Sequence, residues 1–126
     1  MKVNIYPINS KLHNEDFIKS QRELLIKELT RLTHFDYVFT DVNNLYSGDL
    51  TLILVETGGS EFYYKEIESI IKEPIYLITF GNNNSLAASI EILSYIQSKG
   101  LSGEILHGSF QYMADRIMSL MEKKNG

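Results

Sequence analysis

Two short polar stretches carry the residue types that hold ligands or move protons. Glu56-Thr57-Gly58-Gly59-Ser60-Glu61 follows the apolar run Leu52-Ile53-Leu54-Val55, and Gly81-Asn82-Asn83-Asn84-Ser85 follows Ile75-Tyr76-Leu77-Ile78. Each leads into a helical pattern, so each reads as a strand-to-helix turn at the carboxyl edge of an α/β sheet, where ligands bind. Gly58-Gly59 lets backbone amides approach a ligand closely, and the helix behind it supplies a positive N-terminus. A phosphate or carboxylate suits that geometry; a plain tight turn suits the same two glycines. The dinucleotide fingerprint GxGxxG and the phosphate loop GxxxxGK[ST] are both absent. Asn82, Asn83 and Asn84 offer amide donors and acceptors for sugar hydroxyls, but asparagines also form turns and, like Ser85, cap helices.

Further candidates come from neighbouring loops. Asn9, Ser10 and His13 follow the first apolar strand and would line the same crevice as Glu56, Thr57, Gly58, Gly59 and Ser60. Asp41 ends a second strand and reaches the same edge. Glu56 and Glu61 have the chemistry of an acid or a base, although a glutamate in a helix's first turn also simply favours the dipole. His13, His34 and His107 are too far apart to show a metal-ligand spacing; His34 belongs at a helix end and His107 at a strand end. A phosphoacceptor receiver needs an aspartate ending the third strand, and Val55-Glu56 stands there instead. Tyr63, Tyr64, Phe110 and Tyr112 fit helix packing better than base stacking. The chain has no cysteine, which excludes disulfides, thiol catalysis, zinc–thiolate sites and iron–sulfur clusters. Its net charge of −4, with 16 acidic and 12 basic residues and no basic cluster, argues against a nucleic-acid partner.

The elements that position these residues follow from periodicity. At 126 residues and 44% apolar, the chain is sized for one α/β core. Lys2 to Ile8 alternates as a strand. Asn14 is placed to cap a helix whose stripe is Ile18, Leu25, Leu29 and Leu32, widened by Phe17 and Leu24. Asp36 to Asp41 is a short strand, and Val42 to Asp49 shows no period. Leu50 to Val55 and Ile75 to Phe80 are almost continuously apolar, as strands covered on both faces are. Ser60 is expected to cap the helix between them, with Tyr63, Ile67, Ile70 and Ile71 inward and Pro74 closing it. A third helix places Leu86, Ala87, Ile90 and Leu93 inward and stops at Gly100. Gly103 to His107 is an edge strand, and Ser109 caps a last helix with Phe110, Met113, Ile117, Leu120 and Met121 inward. The alternation predicts a three-layer Rossmann-like (flavodoxin-like) domain with a five-stranded parallel sheet, order 2-1-3-4-5. No apolar run is long enough to span a membrane and no signal peptide is visible, so the cytoplasm is the expected compartment.

Three segments together resemble a known family. Val55-Glu56-Thr57-Gly58-Gly59-Ser60-Glu61, Asn84-Ser85-Leu86-Ala87-Ala88-Ser89-Ile90-Glu91 and Gly100-Leu101-Ser102-Gly103-Glu104-Ile105-Leu106-His107-Gly108 are similar to the fucose/arabinose isomerase-like proteins. The likeness covers the second half of the chain well and the first half only in pattern. It implies the N-terminal domain of a longer, multidomain aldose–ketose isomerase that uses a divalent metal, usually manganese, held by a later domain. No catalytic or metal-binding residue is therefore carried over to these residues. What is expected is a non-catalytic domain that closes a substrate site or makes oligomer contacts. Its partners would be the other domains of its parent chain, a neighbouring subunit, and a sugar or sugar-like molecule. The alternative is a freestanding α/β module that binds a small molecule or phospholigand.

Overall fold

The computed structural model describes residues 1–10, 15–45, 47–69, 71–81 and 84–125. Its elements are β1 (Lys2–Ile8), α1 (Glu15–Thr33), β2 (Asp36–Phe39), β3 (Leu50–Val55), α2 (Ser60–Ile67), β4 (Ile75–Thr79), α3 (Ser85–Ser98), β5 (Gly103–Leu106) and α4 (Phe110–Asn125). All five strands run parallel in the order β2-β1-β3-β4-β5. This is the Rossmann-like three-layer arrangement that the alternation predicts. β3 lies at the centre, and five of its six residues, Leu50, Leu52, Ile53, Leu54 and Val55, are buried.

Each face of the sheet carries its own apolar core. On one face α1 and α4 bring Ile18, Leu25, Leu29, Met113, Ile117 and Leu120 onto Val3, Ile5, Leu52 and Leu54. On the other, α2 and α3 bring Tyr64, Ala88, Ile92 and Ile96 onto Ile8, Ile53, Val55, Ile75 and Leu77. Acidic Glu15 and Asp16 sit in the first turn of α1 and Arg31 in its last, matching the helix dipole at both ends. His34 ends that helix in the left-handed region at φ 61°. Gly100 stops α3 in the same conformation at φ 76°, as its position predicts. Ser109 accepts from the Tyr112 amide at 3.0 Å and so caps α4.

Several expected inward positions are corrected. Phe17 and Leu24 stand on the exposed side of α1, so they do not widen its buried stripe. In α2 the fully buried aromatic is Tyr64, with Tyr63 only half-buried; Ile70 and the Ile67 side chain lie outside the described residues. α3 is turned away from the predicted face. Leu86, Ala87 and Ile90 are exposed, while Ser85, Ala88, Ser89, Ile92 and Ile96 are buried. The serines go inward because their hydroxyls are satisfied by backbone there. Ser85 Oγ donates to the Val55 carbonyl at 2.5 Å and accepts from the Phe80 amide at 3.0 Å, and Ser89 Oγ donates to the Ser85 carbonyl at 2.8 Å. Ser60 and Asn84 are not side-chain caps either: Gly59 and Asn84 occupy the cap positions, and neither makes a side-chain cap bond.

Among its described residues, the crossover from β2 to β3 contains no helix. It folds back over β1 through Leu45, which is 2% exposed, and through its carbonyls. Leu45 O accepts from Asn4 Nδ2 at 3.2 Å and from Thr51 Oγ1 at 2.5 Å. Among the described residues, no helix is long and apolar enough to cross a membrane.

Candidate functional site

The strand order reverses between β1 and β3, and the loops leaving those two strands meet there. Ser10, in the loop after β1, donates its amide to Thr57 Oγ1 at 2.7 Å. Ser60 Oγ donates to the Thr57 carbonyl at 2.6 Å and lies 3.3 Å from the Ile8 carbonyl. Gly59 has φ 85°, and a Cβ built on it would stand 3.2 Å from Ser10 Cβ. Glycine is favoured here because the backbone is left-handed, and a Cβ would also press Ser10 back by a few tenths of an ångström. Ser10, Thr57 and Ser60 are all buried.

Beside this contact lies Glu56, 0% exposed. Both of its carboxylate oxygens accept from Arg22 of α1: Nε to Oε2 at 2.7 Å and Nη2 to Oε1 at 2.6 Å. Asn9 Nδ2 adds a third bond to Oε1 at 2.9 Å. A carboxylate removed from water needs such a set, because the guanidinium fork supplies both charge and parallel donors. The hydrogen bond to Glu56 raises the Arg22 pKa, against the opposing effect of burial. On its outer side the Arg22 guanidinium lies over the Phe39 ring, 5.3 Å from the centroid. Phe39 is 47% exposed, so the buried carboxylate, the arginine and the ring form a line from the sheet edge to solvent.

The structure therefore brings together Asn9, Ser10, Glu56, Thr57, Gly59 and Ser60, with the half-buried Gly58 between them. Ser85 joins from the second turn through its bond to the Val55 carbonyl. Asp41 does not join. Its Oδ1 accepts from the Asn43 amide at 2.9 Å and from Asn44 Nδ2 at 3.4 Å, closing its own turn. Asn84 is exposed at φ 59°. His13, Asn82 and Asn83 lie outside the described residues. His107 hydrogen-bonds Thr79 Oγ1 through Nδ1 at 2.7 Å, tying the ends of β4 and β5. Arg22 was missing from the sequence-based candidates, yet it carried a signal. It stands four residues after Ile18 and three before Leu25, a charge inside the apolar stripe of α1.

Among the described residues, no three His, Asp or Glu side chains gather to hold a metal ion. A cleft of about 430 Å³ opens at the opposite, amino edge of the sheet. Leu45, Leu50, Ile53, Ile75 and Leu120 are among its lining residues, together with Lys123 and Lys124 and the acidic Glu73.

Known proteins add little to this picture. No protein-family model matches the chain, and no curated protein matches it. A de novo designed Rossmann fold protein is among the solved structures similar to it, at 7% identity and a TM-score of 0.35, over 97% of this chain and 99% of that one. The Rossmann-like assignment rests on the strand order and direction described above.

Proposed function

We propose that the chain is a non-catalytic α/β domain of a sugar isomerase-like protein, lending one wall of a substrate site or a subunit contact at its carboxyl edge. The observation that carries this reading is the closure of the crevice by the chain's own groups. Glu56 is saturated by Arg22 and Asn9, and Ser10 touches the Gly59 turn. Acids and donors already engaged in this way build a rigid surface; an enclosed pocket would present them to a ligand. The segments around Glu56 and Ser85 that resemble the fucose/arabinose isomerase-like proteins lie on that surface. In this reading the manganese and the catalytic residues belong to another domain of the parent, and the protein works in the cytoplasm.

The test has two arms. With added manganese, the chain alone should convert fucose or arabinose no faster than a protein-free control. In NMR titration, sugar should shift only amides of 9–13, 56–61 and 81–85, and weakly; Asp41, which the structure leaves outside the site, should not move. Turnover by the isolated chain, or shifts centred on another surface, would overturn the reading.

The amino-edge cleft favours a second reading, a freestanding module for a small apolar anion. Its lining is mostly apolar, and Lys72, Lys123 and Lys124 outnumber the one carboxylate, Glu73. Shifts at Leu45, Ile75 and Lys123 on adding a medium-chain carboxylate, with none from sugars, would select it.

A further inference from the structure

We infer that the amino-edge cleft binds a medium-chain carboxylate laid across the amino end of the sheet, with its carboxylate on the α4 side and its tail on the α2–α3 side. This rests on the apolar-anion reading of the cleft and adds the ligand's class and direction. The cleft draws on both faces of the sheet. Leu50, Tyr76 and Leu120 belong to the face covered by α1 and α4, whereas Ile53, Ile71 and Ile75 belong to the face covered by α2 and α3. The register explains the opening. β1 pairs with β3 from Leu50 onward and β4 with β5 from Ile75 onward, but β3 and β4 pair only from Ile53 and Leu77. The Ile75 amide donates to the Ser102 carbonyl on the β5 side at 3.0 Å, so the Tyr76 amide points toward β3. The Glu56 amide donates to the Ile8 carbonyl of β1, and the same alternation sends the amide and carbonyl of Thr51 toward β4. With the ladder starting only at Ile53, these groups of Thr51 and Tyr76 face the gap between the strands unpaired with each other, two donors against one acceptor.

The lining divides by polarity in the way an amphipathic anion requires. At about 430 Å³ the cleft has the size of a small-molecule site. Leu50, Ile53 and Ile75 are buried, whereas Lys72, Lys123 and Lys124 are exposed. Glu73, the one carboxylate among the described lining residues, already accepts from the Ser102 amide at 2.8 Å and the Ser102 hydroxyl at 3.1 Å. The lysines therefore favour an anion, and the buried interior favours a hydrocarbon chain. Lys123 and Lys124 end α4 one turn beyond Leu120, which places the anionic group on that side of the sheet. Tyr76 lies on the same side, so the carboxylate, the ligand's only acceptor, also takes the donors that the open ladder leaves. The chain then runs to Ile53, Ile71 and Ile75 on the other face. A sugar has no hydrocarbon stretch to bury there, and neither has inorganic phosphate.

The test is an NMR titration of the isotope-labelled chain with sodium decanoate, kept below the concentration at which it forms micelles. Amides of Leu45, Ile71, Ile75, Tyr76 and Lys123 should shift, and affinity should rise about threefold for each CH₂ added between hexanoate and decanoate. Lys123→Gln and Lys124→Gln together, both at exposed positions, should weaken decanoate about fivefold to tenfold and leave decanol unchanged. Ile71→Ala, on the tail side, should weaken decanoate and decanol by the same factor. Decanoate that shifts no residue of the cleft would overturn this inference and the apolar-anion reading together. Cleft shifts with an affinity that ignores chain length, or that the paired lysine variant leaves unchanged or lowers equally for decanol, would keep that reading and overturn the class and direction inferred here.

Discussion

Arg22 and Glu56 interact strongly because the fully buried Glu56 cannot find water in place of the arginine. Arg22→Ala leaves a fully buried carboxylate with Asn9 as its remaining partner, so the fold should lose about 3 kcal/mol. Glu56→Gln keeps the volume and should cost about 1–3 kcal/mol. Replacing both by leucine should recover much of the loss, since an apolar pair needs no desolvated charge. Urea unfolding of the single and double variants measures all three; a double variant no more stable than Arg22→Ala would refute the account. A second residue-scale effect is set by Tyr37. Burial raises its pKa above the ordinary 10.0, against the lowering effect of its bond to Thr33. The folded state thus holds this proton more tightly than the unfolded chain does. The associated stability is complete below about pH 10 and is lost as pH rises through the folded-state value. Tyr37→Phe should flatten that alkaline decline. Tyr6 and Tyr76 are raised in the same direction by burial and will leave a smaller residual slope.

Among the elements, the buried strands were the easiest to read and α3 the hardest. Leu50–Val55 announces itself because a strand covered on both faces can be apolar at every position, and its observed limits coincide with the predicted ones. Alternation and crossover handedness predict a parallel sheet, and the order 2-1-3-4-5 chosen among the doubly-wound orders is the one observed. α3 misled because its leucines and isoleucines outweighed its serines, although a small hydroxyl that bonds backbone packs closer to a sheet than Leu86 does. The site was legible in its loops and illegible in its chemistry. Which loops meet depends on topology, but that Glu56 is consumed by Arg22 depends on a helix 34 residues away. The role of Ser85 can be measured. Ser85→Ala leaves the buried Phe80 amide and Val55 carbonyl without their hydroxyl partner and should cost about 1–3 kcal/mol in urea unfolding. Leu86→Ala, on the exposed side, should cost well under half as much. Equal losses would mean that the helix is turned as the sequence suggested.

For the whole molecule, protection from hydrogen exchange should follow the strand order. Amides of β3, flanked by β1 and β4, should exchange slowest, and those of β2 and β5 fastest among the strands, because opening an edge exposes less apolar surface. Comparable rates in β3 and β5 would count against a single cooperative sheet. The crossover between β2 and β3, which has no helix among its described residues, has a different kind of consequence. It divides the chain into β1-α1-β2 and everything from β3 onward, and these two parts meet along a seam formed by the β1–β3 ladder and the packing of α1 on α4. The Asn9–Glu56, Arg22–Glu56, Ser10–Thr57 and Ser60–Ile8 bonds all cross that seam. The buried carboxylate is thus a clasp between two halves of one protein. Severed between Asn43 and Asn44, the halves should reassemble by complementation when expressed separately, and Arg22→Ala should weaken that reassembly while leaving the helicity of the α2–α4 half unchanged.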